Sequence, residues 1–209
     1  MQIRMVSSIT ATLTATALLI AVAPAASAAS SLPKDPPANP VLAEYKGKKI
    51  NLADSWSGAT VCTEFPGGSV HCYSNDTEAQ ADPELRKTSK LSAPTGIESL
   101  PGNCSPDYWC LFEDINYGGH KLQFFDSGRK NLSDWGFRDT ASSIYRGVIN
   151  YPLNYGYATM VDYRSGVLYD RVRDVGQGLE SKYPSLGALG YPDGGDWNDR
   201  MDAFDVKRG

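Results

Sequence analysis

Short runs of β-prone residues, separated by turn-forming glycine, proline, asparagine and aspartate, dominate the chain after residue 45. They lack the sustained 3.6-residue period of an amphipathic helix. Short strands at this spacing predict an all-β sandwich rather than a helical or doubly wound domain. In the C-terminal half the runs are Tyr108 to Phe112, Lys121 to Phe125, Ser143 to Val148, Tyr157 to Asp162 and Val167 to Val172.

The N-terminal half contains a predicted β-hairpin. Two β-prone runs, 61–64 and 69–73, flank the turn sequence Phe65-Pro66-Gly67-Gly68, which is typical of a hairpin connection. Lys49 to Leu52 alternates polar and apolar residues and predicts a half-buried strand. A short helix is predicted from Asp76 to about Leu85, with Asn75 or Asp76 as its N-cap and Pro83 as a possible break.

The first 28 residues have the form of a secretory signal peptide. Arg4 precedes an apolar stretch at 9–23, and Ala26-Ser27-Ala28 offers the small-x-small cleavage pattern. A retained anchor is the alternative, but threonines interrupt the stretch, whereas an anchor needs about 20 apolar residues in a row. We therefore predict a secreted, extracellular protein with five parts: signal peptide 1–28, Pro-rich linker 29–44, disulfide hairpin segment 45–80, second linker 81–102 and β-rich domain 103–207.

Charge and cysteine content indicate which partners and which compartment are compatible with the sequence. Cleavage removes only the charge of Arg4, so the net charge changes from −4 to −5, and no basic patch indicates a nucleic-acid or membrane partner. All four cysteines follow the cleavage site, where an oxidising compartment favours two disulfides. Three pairings are possible, and short loops favour Cys62–Cys72 and Cys104–Cys110. A zinc site with four cysteine ligands is the alternative, but it would need closer spacing.

Phe112, Tyr117 and Gly119 form the pattern aromatic-x4-aromatic-x-Gly that is typical of a βγ-crystallin Greek key. The two rings pack over a folded hairpin, and glycine takes a backbone conformation that other residues avoid. With this motif, the segment Cys104 to Tyr145 resembles the secreted, actinobacterial βγ-crystallin-like family that includes the streptomycete metallopeptidase inhibitors. A divergent second copy of the pattern follows between Ala158 and Phe204. The resemblance implies a sandwich of two Greek keys and peptidase inhibition as the activity.

The resemblance also implies two calcium sites, each formed by an Asn/Asp-Asn/Asp-x-x-Ser/Thr-Ser stretch of one key and an acidic turn of the other. No cofactor is required, and calcium is the one candidate. In the first stretch Arg138 occupies an acidic position and would repel a cation; in the second, Ala203 replaces a serine. The alternative is that these side chains only tie down turns. The candidate ligands are Asp139, Ser142, Asn198, Asp199 and Asp202.

Enzyme chemistry is not indicated, so we predict no catalytic residues. The two histidines, His71 and His120, lie in hairpins among polar residues, and no nucleophile elbow, zinc-protease helix or phosphate loop occurs. Glu113-Asp114, Asp162 and Asp170 could serve a glycosidase but are more simply turn and rim residues. Some aromatic residues could form a carbohydrate-binding face but are more often core: Trp135, Tyr151, Tyr155, Tyr157 and Trp197.

A peptidase inhibitor needs a rigid exposed loop that loses little entropy when it enters the peptidase cleft. Two loops lie beside cysteines that are predicted to pair, Glu64 to Ser69 and Pro101 to Tyr108. The leading hypothesis from the sequence is therefore inhibition of an extracellular peptidase by occlusion. A calcium-binding structural or surface-binding module and a killer-toxin-like antimicrobial protein are the alternatives.

Overall fold

The computed structural model describes residues 39–90, 100–147, 156–164, 169–177 and 182–208. These residues all lie in the second of the two units of the chain, Pro36–Gly209. The predicted signal peptide and most of the first predicted linker fall outside them. No helix within these ranges is long and apolar enough to cross a membrane.

The described residues form twelve strands in two sheets, two short α-helices and three 3-10 helices, Pro101–Asn103, Ile115–Tyr117 and Leu186–Ala188. One sheet has the order β11-β8-β5-β6-β3-β4-β1-β2 and the other β10-β9-β12-β7. The α-helices are α1 (Asp76–Ala81) and α2 (Pro83–Lys90). The strands are β1 (Leu42–Tyr45), β2 (Lys48–Asn51), β3 (Val61–Glu64), β4 (Val70–Tyr73), β5 (Trp109–Phe112), β6 (Lys121–Phe124), β7 (Gly128–Asn131), β8 (Ser143–Arg146), β9 (Tyr157–Asp162), β10 (Arg171–Val175), β11 (Lys182–Tyr183) and β12 (Ala203–Lys207).

Strands β5–β8 and β9–β12 form two Greek keys that exchange their third strands. In the first sheet β6, β5 and β8 pair antiparallel, and β11 of the second key pairs with β8. In the second sheet β10, β9 and β12 pair in the same way, and β7 of the first key pairs with β12. Each sheet therefore contains three strands of one key and the third strand of the other. The predicted all-β sandwich of two Greek keys is confirmed.

The space between the two sheets holds the larger hydrophobic core. Side chains alternate along each strand, so every second residue points into this space. The Trp109 ring of the first sheet meets Phe204 of the second edge-on, with 5.5 Å between ring centroids. Other contributors from the two sheets are Leu111, Leu122, Phe124, Ile144, Met160 and Val206.

A second core covers the opposite face of the first sheet. Helices α1 and α2 and the loop 100–108 lie over this face, and Leu85 of α2 belongs to the cluster. The buried ammonium of Lys121 donates to the carbonyls of Gly102 and Asn103, at 3.0 Å each, and pairs with Asp76 at the start of α1. Both faces of the sheet are thus covered here, and every residue of β5 is buried.

The N-terminal hairpin continues the first sheet. Strand β3 pairs in parallel with β6, and β1 pairs in parallel with β4. A buried ion pair, 2.5 Å between Glu64 Oε1 and Lys130 Nζ, joins β3 to β7 of the other sheet. The amide of Gln123 donates to Thr63 Oγ1 at 2.9 Å in the interior. The segment predicted at 45–80 therefore shares a sheet and a core with the C-terminal domain.

Both disulfides have the pairing favoured by sequence proximity, Cys62–Cys72 and Cys104–Cys110. Cys62 and Cys72 lie directly opposite each other on β3 and β4. The bond therefore closes the hairpin across two neighbouring strands.

Several element boundaries differ from the sequence predictions. Strand β1 begins at Leu42, inside the predicted linker 29–44, and α2 lies inside the predicted linker 81–102. Asn75 caps α1 as predicted, accepting from the Glu78 amide at 2.9 Å, but the helix ends at Ala81. Pro83 then starts α2, because a first-turn proline needs no amide donor. The strand predicted at Val167 to Val172 is β10, which begins four residues later.

Candidate functional site

The predicted Greek-key corner brings together Phe112, Tyr117 and Gly119. The Phe112 ring is buried at the end of β5 and meets the Tyr117 ring edge-on, with 5.5 Å between centroids. Gly119 has a φ of +71°, and a Cβ at this position would lie 2.9 Å from Asp114 Oδ2. Glycine is therefore required both for the backbone conformation and for space.

The turn between β5 and β6, residues 113–120, is fixed from several sides. The buried Ser143 hydroxyl donates to the Asp114 carbonyl at 2.7 Å and accepts from the Tyr117 amide at 3.0 Å. The Asn116 amide donates to the carbonyl of Pro184, in the second key, at 2.7 Å. Asn116 and Tyr117 both have a positive φ. At the tip of the turn, Ile115 is exposed.

The histidines and the remaining acidic candidates have local partners. Glu113 Oε2 accepts from the His120 amide at 3.1 Å and lies 2.5 Å from His120 Nδ1, and these hydrogen bonds lower the pKa of Glu113. His71 Nδ1 lies 3.3 Å from Asp82 Oδ2. Asp162 accepts from the Tyr191 hydroxyl, and Asp170 accepts from the Arg164 amide. Each of these side chains therefore has a hydrogen-bond or ion-pair partner close by.

The five predicted calcium ligands lie where the two keys meet. The Asp139 amide donates to the Met201 carbonyl at 3.0 Å, and the Asp199 amide donates to the Ala141 carbonyl at 3.2 Å. These two contacts are related by the pseudo-twofold arrangement of the keys. Three of the predicted ligands bond to one another: the Asp199 carboxylate accepts from Ser142 Oγ at 3.2 Å and from Asn198 Nδ2 at 2.7 Å.

Arg138 supplies a cation to the other two predicted ligands. Its Nε forms an ion pair with the buried Asp202 carboxylate and lies 3.5 Å from Asp139 Oδ2. Burial raises the pKa of Asp202 to about 6, against the opposing effects of the Tyr163 amide and Arg138. Within the described ranges, no group of three or more His, Cys, Asp or Glu side chains is placed to hold a metal ion. The Arg138 guanidinium thus lies beside both carboxylates.

We expect calcium to leave the melting temperature of the protein unchanged relative to a chelator. A ligand raises the melting temperature only when it binds the native state, and Arg138 already neutralises these carboxylates. In the Arg138→Asn variant, the loss of the guanidinium should lower the melting temperature, and calcium should then recover part of it. Differential scanning calorimetry of both proteins tests this, and a calcium-dependent rise in the wild type would contradict it.

Residues 98–148 match the family model described as peptidase inhibitor family I36. We call residues 98–148 the family I36 segment. The matched segment contains the whole first key, β5 to β8, together with the turn 113–120. A crystal structure of a βγ-crystallin domain from Clostridium beijerinckii is similar at 19% identity and a TM-score of 0.31, over 48% of this chain and 97% of that chain. No curated protein matches the chain significantly.

The first of the two predicted loops, Glu64 to Ser69, lies outside the family I36 segment. Within this loop, Phe65 is buried, and its amide donates to the Ser69 carbonyl at 2.8 Å. The Gly67 amide donates to Asp126 Oδ2 at 2.9 Å. The turn is rigid and residues 66–69 are exposed, but its two central residues are glycines. It therefore presents little side chain to a partner.

The second predicted loop, Pro101 to Tyr108, lies inside the family I36 segment but does not project. Cys104, Ser105 and Tyr108 are buried. The Ser105 amide donates to Gln123 Oε1 at 2.9 Å in the interior. The loop forms part of the layer over the first sheet, so its position beside the disulfide does not make it accessible.

The aromatic residues predicted as an alternative sugar-binding face are divided between core and surface. Trp135 and Trp197 are buried, and each packs edge-on against another ring, Phe124 at 4.9 Å and Tyr191 at 5.1 Å between centroids. Tyr157 is half-buried. Tyr151 and Tyr155 lie outside the described residues. The two tryptophans are therefore core residues.

Proposed function

We propose that the protein inhibits an extracellular peptidase by occluding the active-site cleft, with no chemistry and no cofactor of its own. The match of residues 98–148 to peptidase inhibitor family I36 carries this proposal. Two disulfides in a chain of this size favour action outside the cell, where they persist. Calcium is left out because Arg138 supplies a cation to the carboxylates of Asp139 and Asp202.

Occlusion requires a surface that is ordered before binding, because every loop ordered on association reduces the affinity. The first key meets this requirement. It is enclosed between two cores, and the buried Lys121 ties it to the N-terminal segment. Its turn 113–120 also bonds to Ser143 and to Pro184 of the second key. The first key can therefore fill a peptidase cleft while losing little conformational entropy.

Titration of the mature protein, residues 29–209, into peptidases tests the proposal. A thermolysin-like metallopeptidase and a subtilisin-like serine peptidase are assayed with a small peptide substrate. We expect inhibition of at least one class, competitive with the substrate, with the inhibitor recovered uncleaved. The reduced and alkylated protein is the control and should be digested instead. Full peptidase activity at micromolar concentrations of the native protein would contradict the proposal.

A further inference from the structure

We propose that the turn between β5 and β6 is the inhibitory surface and that Ile115 is its anchor. This inference rests on the proposed peptidase inhibition and names the part of the molecule that performs it. The partner is a peptidase whose specificity pocket accepts a branched aliphatic side chain.

Exposure singles out Ile115. The residue is 54% exposed, although most large apolar residues in the described part of the chain are buried. The other large apolar residues exposed in the described part of the chain all lie outside the family I36 segment, which covers 98–148: Leu42, Tyr163, Tyr169 and Val172. Ile115 is thus the exposed apolar side chain that the described part of the inhibitor-family segment offers to a partner.

The turn holds Ile115 in a fixed position. The Ser143 hydroxyl bonds to the carbonyl of Asp114, directly before Ile115, and to the amide of Tyr117, two residues after it. The Asp114 amide donates to the Gly118 carbonyl at 3.1 Å, and the Asn116 amide is bound by the second key. A side chain presented on such a frame loses little entropy on insertion into a pocket, which is the requirement for an inhibitory loop.

The neighbours of Ile115 suit an anchor. Asp114 and Asn116 are exposed on either side and provide a polar rim around one apolar side chain, as binding hot spots have. Asn116 has a φ of 57°, so the chain turns away directly after Ile115. A substrate continues through the cleft in an extended conformation, and this turn does not. Ile115 therefore enters as a plug, and the adjoining peptide bonds are not presented for cleavage.

Each of the two loops beside the disulfides lacks either exposure or an apolar side chain that could act as an anchor. The turn at 66–69 is exposed and rigid, but it presents Pro66, two glycines and Ser69. The loop 101–108 is anchored, but each of its residues is buried or half-buried. Among the three turns compared, only the turn 113–120 combines exposure, an ordered frame and a side chain that can fill a pocket.

Inhibition constants of Ile115→Ala and Ile115→Asp, measured on the peptidase that the wild type inhibits, test this assignment. Truncation of an anchor is expected to raise the inhibition constant by at least about 30-fold, and a charge in the pocket to raise it further. Val172→Ala is the matched control, since Val172 is also branched and 57% exposed. It should stay within about twofold of the wild type, and all three variants should melt like the wild type because both sites are exposed.

The outcomes separate the two proposals. If the wild type inhibits and the Ile115 variants inhibit equally well, the anchor assignment is overturned and peptidase inhibition stands. If the wild type inhibits neither peptidase class, both proposals fall. Mass spectrometry of the complex gives a second readout: cleavage at the bonds beside Ile115 during inhibition would overturn the plug geometry even if the affinities follow expectation.

Discussion

Replacing Phe112 by alanine is expected to lower the free energy of unfolding by about 3–5 kcal/mol. The Phe112 ring is buried in the second core and packs against Tyr117. It also fills the space beside Gly102, where a Cβ would collide with the ring. Truncation removes this apolar contact and leaves a cavity that the disulfide-linked neighbourhood cannot easily close. Urea unfolding followed by fluorescence measures the loss.

Two variants serve as controls for this prediction. Phe112→Leu retains most of the volume and should cost roughly 1 kcal/mol. Leu42→Ala removes an exposed apolar side chain from β1 and should change the stability by no more than about 0.5 kcal/mol. A loss below about 1 kcal/mol for Phe112→Ala would contradict the packing of this ring at the corner.

The second large effect is expected from Lys130→Met, which should lower the free energy of unfolding by about 3 kcal/mol at neutral pH. The Lys130 ammonium and the Glu64 carboxylate are both largely enclosed, 2.5 Å apart. Removal of the lysine leaves the buried carboxylate with only the Asp126 amide, at 3.3 Å, among its described charge-stabilising contacts. A buried charge without a counterion is unfavourable, so the folded state loses stability.

The loss should depend on pH in a definite direction. Burial already raises the pKa of Glu64 above its ordinary value of 4.5, while Lys130 holds it down. Without Lys130 the pKa of the folded state rises further, so the folded protein binds a proton that the unfolded chain releases. The stability of Lys130→Met is therefore greatest below pH 4.5 and falls as the pH rises through the folded pKa.

The double variant Glu64→Gln/Lys130→Met is the control for the charge argument. It removes both charges and retains the approximate volumes, so it should recover most of the stability at neutral pH and show a flatter pH profile. Chemical unfolding at several pH values between about 4 and 7 measures all three proteins. A deficit of Lys130→Met that does not change with pH would show that packing, not the unpaired carboxylate, is responsible.

The two Greek keys were predictable because their signals are local. Phe112, Tyr117 and Gly119 lie within eight residues, so the motif that identifies the corner can be recognised without the rest of the chain. The pairing of β3 with β6 had no such signal. Its buried polar residues, Thr63 and Glu64, have partners at Gln123 and Lys130. The local sequence around Thr63 and Glu64 is typical of an exposed hairpin. Their burial is possible because Gln123 and Lys130, which are distant in sequence, supply their partners.

The sequence predicted the turn 113–120 as a Greek-key corner but did not indicate the anchor proposed here, because the motif treats Ile115 as a spacer. An aliphatic residue between Asp114 and Asn116 was the available signal. Helix α2 was missed in a similar way: Pro83 was interpreted as a break, although Asp82 before it accepts from the Glu84 amide at 2.7 Å as an N-cap does. The partner of Arg138 was not predictable, since Asp202 reaches it only through the pseudo-twofold contact of the keys.

The exchange of β7 and β11 between the keys sets the order in which the protein can be completed during synthesis. The first sheet lacks its edge strand until the ribosome has delivered residues 182–183, and β7 has no neighbour until β12 emerges near the end of the chain. The first key therefore has an open sheet edge and an uncovered apolar face until β11 and β12 have been synthesised. Exposed strand edges and apolar surface of this kind favour aggregation with another chain until both strands are in place.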